Sequence, residues 1–144
     1  MTQEFLDNNQ YSELSILRYE SAYGHNFISP GGEKVADLFI NTLGLRLGLS
    51  VLDIGCGLGG PAFRMASKSG VSVHGIDLSA NMIRIAKTRL KEEGLNNLVT
   101  FSQGNCLELQ AFEKYHVVHS RDAFLHIRDK NRLFEVIKRI LVSG

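Results

Sequence analysis

The chain is short of cysteine, of net charge and of long apolar runs, and each shortage excludes something. Its two cysteines, Cys56 and Cys106, cannot form a disulfide framework and lack metal-ligand spacing. No metal site is expected, and a reduced, cytoplasmic setting is the default. Sixteen Lys and Arg stand against fifteen Asp and Glu, a net charge of +1. That leaves no basic field for nucleic acid and no charged tail. No apolar run approaches the roughly 20 residues of a membrane span. Met1-Thr2-Gln3-Glu4-Phe5 has no basic patch followed by an apolar core, so a secretory signal is not expected. Repeats and low-complexity tracts are missing too.

What is present is the balance of one globular domain, 44% hydrophobic and 22% charged over 144 residues. Helical spacing is read over residues 11–23, with Tyr11, Leu14, Leu17 and Tyr19 as its face. It recurs from Glu33 to about Leu43, through Val35, Leu38, Phe39 and Leu43. Phe27 to Gly32 reads as a connector. Strands are expected at Val51–Ile54, Val71–Ile76, Leu98–Ser102 and His116–Ser120. Between them come a helix from Pro61 and one capped by Ser79, with Met82, Ile83, Ala86 and Leu90 buried and Gly94 as its stop. A last helix from about Asp129 to Leu141 carries Leu133, Phe134, Ile137 and Leu141 on one side. Strands alternating with helices predict an α/β fold: a three-layer αβα parallel sheet.

The densest signal is Val51-Leu52-Asp53-Ile54-Gly55-Cys56-Gly57-Leu58-Gly59-Gly60. An apolar strand ends and a glycine-rich turn opens into a helix, the form of a loop around a nucleotide-like ligand. Gly55-x-Gly57-x-x-Gly60, with Asp77 about 20 residues on, also fits a nicotinamide dinucleotide. Two features favour S-adenosylmethionine. Asp53 would repel a pyrophosphate yet suits the ammonium of an amino-acid moiety. The fourth strand runs into the polar segment Ser120-Arg121-Asp122-Ala123-Phe124-Leu125-His126, where ligands of such sheets bind.

Together with Phe5-Leu6-Asp7-Asn8-Asn9-Gln10-Tyr11, Tyr19-Glu20 and Gly24 to Gly32, these motifs make the chain resemble class I S-adenosylmethionine-dependent methyltransferases with a Rossmann-like fold. More narrowly, it resembles the phosphoethanolamine N-methyltransferases of phosphocholine synthesis. The resemblance implies one methyltransferase domain over 1–144, with N-terminal lid helices over 1–45 and a Rossmann-like core over 46–144. It implies that Ile28 and Ser29 close over the cofactor, that Asp53, Gly55 and Gly57 hold its methionine end, and that Asp77 takes the ribose hydroxyls. Leu78, Asn105 and Cys106 would border the adenine, with Asn105 where the family usually has Asp. Arg121 would bridge cofactor and lid. Gln10, Tyr19 and Asp122 would face the phosphobase, and a Tyr11–His126 pair would latch the lid and assist proton removal.

The family continues into a fifth strand, an edge hairpin and phosphate-gripping residues that have no counterpart in 1–144. The expectation is therefore a domain truncated at its C-terminus, with the fourth strand an open edge for a second copy. Its alternative function is an S-adenosylmethionine-binding or interaction module without catalysis. The remaining readings are plain. His25, His74, His116 and His119 show no ligand spacing, and Lys87, Arg89, Lys91, Glu92 and Glu93 read as a solvated helix face. Arg121-Asp122 is readable as a surface ion pair.

Overall fold

The structure, a computed structural model, describes residues 2–144. Four parallel strands form one sheet in the order β3-β2-β1-β4: β1 Ser50–Ile54, β2 Ser72–Asp77, β3 Val99–Gln103 and β4 Val117–Ser120. Helices α4 (Gly60–Ser69) and α5 (Ala80–Glu93) make the crossovers, and α6 (Lys130–Ile140) follows β4. Ahead of the sheet come α1 (Gln3–Phe5), a π-helical turn over Leu6–Gln10, α2 (Glu13–Tyr23) and α3 (Gly32–Thr42).

The alternation of side chains along each strand builds a core on both faces. Val51, Val73, Val99 and Phe101 pack with Ala36 and Ile40 of α3, Phe63 and Met65 of α4, and Ala86 and Leu90 of α5. Leu52, Ile54 and Ile76 face the other way, onto Leu133, Val136 and Ile140 of α6. This is the expected three-layer αβα sheet. Helix α5 follows its sequence reading closely. The Ser79 hydroxyl accepts from the Met82 N–H, the expected face is buried, and Gly94 ends the helix in the left-handed region.

Three other helices are turned relative to the sequence reading. In α2 the buried residue is Ile16, whereas Leu14 and Leu17 are 60% and 58% exposed. Tyr11 is not in that helix but ends the π-helical turn before it. In α3 the inward face is Gly32, Ala36 and Ile40, and Leu38 and Phe39 point outward. In α6 Val136 and Ile140 join Leu133 inside, and Phe134 is exposed. The cause is shared: each helix carries more large apolar residues than one face holds. Close packing on the sheet then selects the smaller or better-placed stripe.

β4 borders the sheet, as expected. Its approach is partly covered, because the chain after α6 returns beside it: Tyr115 and Leu141 form a parallel bridge, and the Val142 N–H donates to the Tyr115 carbonyl at 2.8 Å.

The glycine loop serves internal packing as well as ligand approach. Gly55 has φ +73°, and a Cβ there would lie 2.3 Å from the Ala123 Cβ. At Gly60 it would meet the Asn26 carbonyl at 2.6 Å and the Phe27 ring. The loop is thereby pressed against the segment after β4 on one side and the 27–32 connector on the other.

Candidate active site

The carboxyl ends of β1, β2 and β4, the connector and the N-terminal turn enclose an open cavity of about 940 Å³. Every site residue expected from the sequence lies on its wall. Gln10, Tyr11 and Tyr19 come from the N-terminal helices, Ile28 and Ser29 from the connector, and Asp53, Gly55 and Gly57 from β1 and its loop. Asp77 and Leu78 follow β2, Asn105 and Cys106 follow β3, and Arg121, Asp122 and His126 follow β4. Parallel strands explain the convergence, since they deliver all their carboxyl ends to one edge of the sheet.

Asp77 ends β2, and both its oxygens are engaged by backbone. Oδ2 accepts from the Gly57 N–H and Oδ1 from the Ser79 N–H, each at 2.9 Å. Burial raises its pKa above the ordinary 3.8, outweighing those two donors, and Asp53 and Asp7 push the same way. A carboxylate has about four acceptor sites, so two remain for a pair of hydroxyls. Asn105 caps the short turn Cys106–Glu108 by accepting from the Leu107 N–H at 3.0 Å. Its oxygen keeps one lone pair for a ligand. Burial pushes the Cys106 thiol up, which keeps it protonated.

Asp53 is 1% exposed. Its Oδ1 accepts from His119 Nδ1 at 2.7 Å, and its Oδ2 is buried without a hydrogen-bond partner. An unpartnered buried acceptor costs about 1–3 kcal/mol, more when charged. Burial works against a charged His119, but the charge and hydrogen bond of Asp53 prevail and raise its pKa. The sequence reading assigned His119 nothing. The available signal was a histidine directly after the paired valines Val117 and Val118 of a short strand. Its partner became visible only through strand pairing, which sets Asp53 against His119.

Arg121 is no surface ion pair. Its side chain is 8% exposed, it lies 4.0 Å from Asp122, and its guanidinium donates to the Gly32 carbonyl at 2.9 Å and to the Pro30 carbonyl. It ties the segment after β4 to the connector. Asp122 adopts φ +60°, a left-handed conformation that Asp tolerates better than most residues. Tyr11 and His126 border the same cavity, and no hydrogen bond joins them among the described residues. The Tyr11 hydroxyl accepts from Gln10 Nε2 at 3.2 Å. Burial, then the charges of Asp77 and Tyr19, push its phenol up to about 12.

Arg89 also departs from its reading as part of a solvated face. It donates to Asn26 Oδ1 and Glu20 Oε2, both at 2.8 Å, and Glu20 Oε1 accepts from the Asn26 N–H at 2.6 Å. Asp7 of the π-helical turn accepts from the Ser79 hydroxyl and from the Ala80 and Asn81 N–H groups at 3.1 and 3.2 Å. These contacts fasten the N-terminal helices to α5. His74 is likewise engaged, between the Tyr115 hydroxyl at 2.6 Å and Ser102 Oγ at 2.7 Å, away from the cavity. No helix among the described residues is long and apolar enough to cross a membrane, and no group of three acidic, His or Cys residues there could hold a metal ion.

The chain is similar to several known proteins. Phosphoethanolamine N-methyltransferase 1 of Zea mays is 43% identical over 143 residues, which are 99% of this chain and 28% of that protein. The phosphoethanolamine N-methyltransferase of Plasmodium falciparum is 36% identical over 134 residues, 91% of this chain and 49% of that protein. Phosphoethanolamine N-methyltransferase 2 of Haemonchus contortus has been solved with S-adenosyl-L-methionine, and also with phosphomonomethylethanolamine and S-adenosylhomocysteine. Both structures superpose on this chain with a TM-score of 0.95 at 39% identity, covering 99% of it and 33% of the Haemonchus chain. The chain thus spans about a third of the length of several relatives it matches. A methyltransferase domain model matches residues 45–144, more than half of the sequence, and the chain belongs to that family.

Proposed function

We propose that this chain binds S-adenosylmethionine in the cavity at the carboxyl edge of the sheet and takes part in methyl transfer to the amine of phosphoethanolamine, of its mono- and dimethyl forms, or of both, toward phosphocholine. One observation carries the reading. The residues assigned to a cofactor and those assigned to an acceptor, drawn from segments far apart in the chain, border one continuous cavity. The similarity to phosphoethanolamine N-methyltransferases, one solved with cofactor product and a phosphobase together, supports it.

The residues present fit the cofactor. The unpartnered Oδ2 of Asp53 is an acceptor lacking a donor, and an amino-acid ammonium supplies one. Asp77 retains lone pairs for the ribose hydroxyls, Leu78 and Cys106 offer an apolar wall to adenine, and Asn105 an acceptor at its edge. Ile28 and Ser29 cover this side, and Arg121 holds their connector in place. The same Asp53 oxygen disfavours a pyrophosphate, and with it a nicotinamide dinucleotide.

When bound, the cofactor supplies an electrophilic methyl on a sulfonium. An alkylamine is a cation at neutral pH, with a pKa of roughly 10 like that of lysine, so it must lose a proton before it attacks. His126 is the acceptor we assign, since it borders the cavity and an imidazole nitrogen can take up a proton. Tyr11, with its phenol held protonated, is a hydrogen-bonding latch over the cavity rather than a phenolate base. Asp122 attracts the ammonium, and Gln10 and Tyr19 border the acceptor side. Holding the amine in line and excluding water would provide much of the rate. We also propose residues 1–45 as the N-terminal lid helices, the cytoplasm as the setting, and the uncovered part of β4 as the edge through which a second copy pairs.

Calorimetric titration with S-adenosylmethionine and then phosphoethanolamine tests the two halves separately, and transfer of labelled methyl tests the reaction. Binding of both with turnover is the expected result. Cofactor binding without turnover would make the chain a binding module, and binding of NAD in place of S-adenosylmethionine would overturn both readings.

A further inference from the structure

The Asp53–His119 pair lies outside every role assigned so far to His119. Parallel pairing of β1 with β4 sets the two residues side by side, one register step before the strands end. Both are buried, at 1% and 7% exposure, with the fully buried Leu52 and the buried Ile54 on either side of Asp53 in β1. Burying an ionisable pair in such a place costs desolvation that packing alone does not return. The hydrogen bond uses one oxygen of the carboxylate, Oδ1, and the other has no partner although the residue borders the cavity. A lone aspartate at a strand end can rotate about its side-chain bonds. One tied on its far side cannot.

We propose that His119 is a positioning residue, which holds Asp53 by one oxygen so that the other is fixed for the ammonium of the cofactor's amino-acid end, directly or through one water. The proposal rests on the cofactor reading above. Nδ1–H donates to Asp53 whether the ring is neutral or cationic, so the orientation persists in both forms. Dependence on His119 is then confined to ligands that carry the amino-acid end. The adenosine end, across the cavity at Asp77 and Asn105, does not depend on it.

Two probes separate these ends: S-adenosylhomocysteine, which has the ammonium, and 5′-methylthioadenosine, which lacks the amino-acid moiety. Calorimetry on the 144-residue chain should show His119→Phe binding S-adenosylhomocysteine about 10-fold more weakly, the size of one charge-assisted hydrogen bond. Its affinity for methylthioadenosine should stay within about two-fold, and His119→Gln, which keeps a donor, should recover much of the loss. Equal losses for both probes, or no loss for either, would overturn the proposal. A measurement on the unaltered chain covers the case in which His119→Phe does not fold. The ¹⁵N signals of the His119 ring should move on adding S-adenosylhomocysteine and stay put with methylthioadenosine, and equal movement with both would also overturn it. If the unaltered chain binds neither probe, the cofactor reading itself fails.

Discussion

The sheet and the N-terminal helical layer are held in different ways. The sheet lies between two apolar clusters that include most of the fully buried side chains. The N-terminal layer contributes Phe27, Ala36 and Ile40 to one of those clusters, through the connector and α3, while the part before the connector contributes Ile16 to a small cluster with Leu58 and Met82. Much of the rest of its attachment is polar: Asp7 on the start of α5, Glu20 and Asn26 on Arg89, Asp37 on Arg64 and Lys68, and the connector on Arg121. Apolar burial is insensitive to pH and salt, whereas ion pairs and hydrogen bonds can be exchanged for water at small net cost. We therefore propose that the helices before α3 are the part able to come away, while α3 stays with the sheet that carries the acids.

The largest break in that contrast should come from the sheet. Leu52→Ala removes a fully buried side chain from the central strand and should cost about 2–5 kcal/mol of global stability, seen as an earlier urea midpoint for all amides together. Arg89→Met should act locally. It leaves Glu20 without its cation in a largely buried site, and a loss of ~2–3 kcal/mol is expected, below that of a fully buried pair. Hydrogen exchange should quicken in α2 while the strands keep their protection.

Acid should reproduce this loosening. Asp37 is held at about 2 by hydrogen bonds from Arg64 and Lys68. Asp7 and Glu20 sit below their ordinary 3.8 and 4.5, because donors outweigh the burial that opposes them. A lowered carboxyl pKa stabilises the folded form fully above the ordinary value, and that contribution is lost as pH falls through the lowered one. Asp77, raised by burial, shifts the opposite way and adds nothing to the latch. The chain has no tryptophan, and Tyr11, Tyr19 and Tyr23, three of its four tyrosines, belong to the N-terminal layer. Near-ultraviolet circular dichroism should therefore fade as pH falls from 4.5 toward 2, before the protected amides of β1 exchange. Simultaneous loss would remove the distinction between the two regions.

Smaller effects sharpen it. Asp7→Ala should cost about 1 kcal/mol, the usual scale of a lost helix cap, with faster exchange confined to Ala80, Asn81 and the N-terminal turn. Leu17→Ala should change stability by no more than ~0.5 kcal/mol, because that side chain is already in water. A cost comparable to Leu52→Ala would show that something covers α2.

How much could be read from the chain differs between the same two regions. The four strands and helix α5 announce themselves locally, through short apolar runs, the Ser79 cap and the Gly94 stop. The cavity walls were legible too, because parallel strands deliver their carboxyl ends to one edge and the motifs sit at those ends. In α2, α3 and α6 two stripes of apolar residues compete, and periodicity cannot rank them. Ile16 rather than Leu17, and Ile40 rather than Phe39, went inside because only those fit the surface they meet. Arg89 looked like any exposed helix residue until Glu20 and Asn26, more than sixty positions away, were brought against it.

The sequence by itself determined the order of strands and helices, the glycine loop and the acids at the strand ends, since these follow from local backbone preference and spacing. Only the tertiary structure decided which helix faces are buried, how the N-terminal layer is latched, and that His119 stands beside Asp53. Those depend on strand register and on close packing between segments distant in the chain, and no local pattern encodes them.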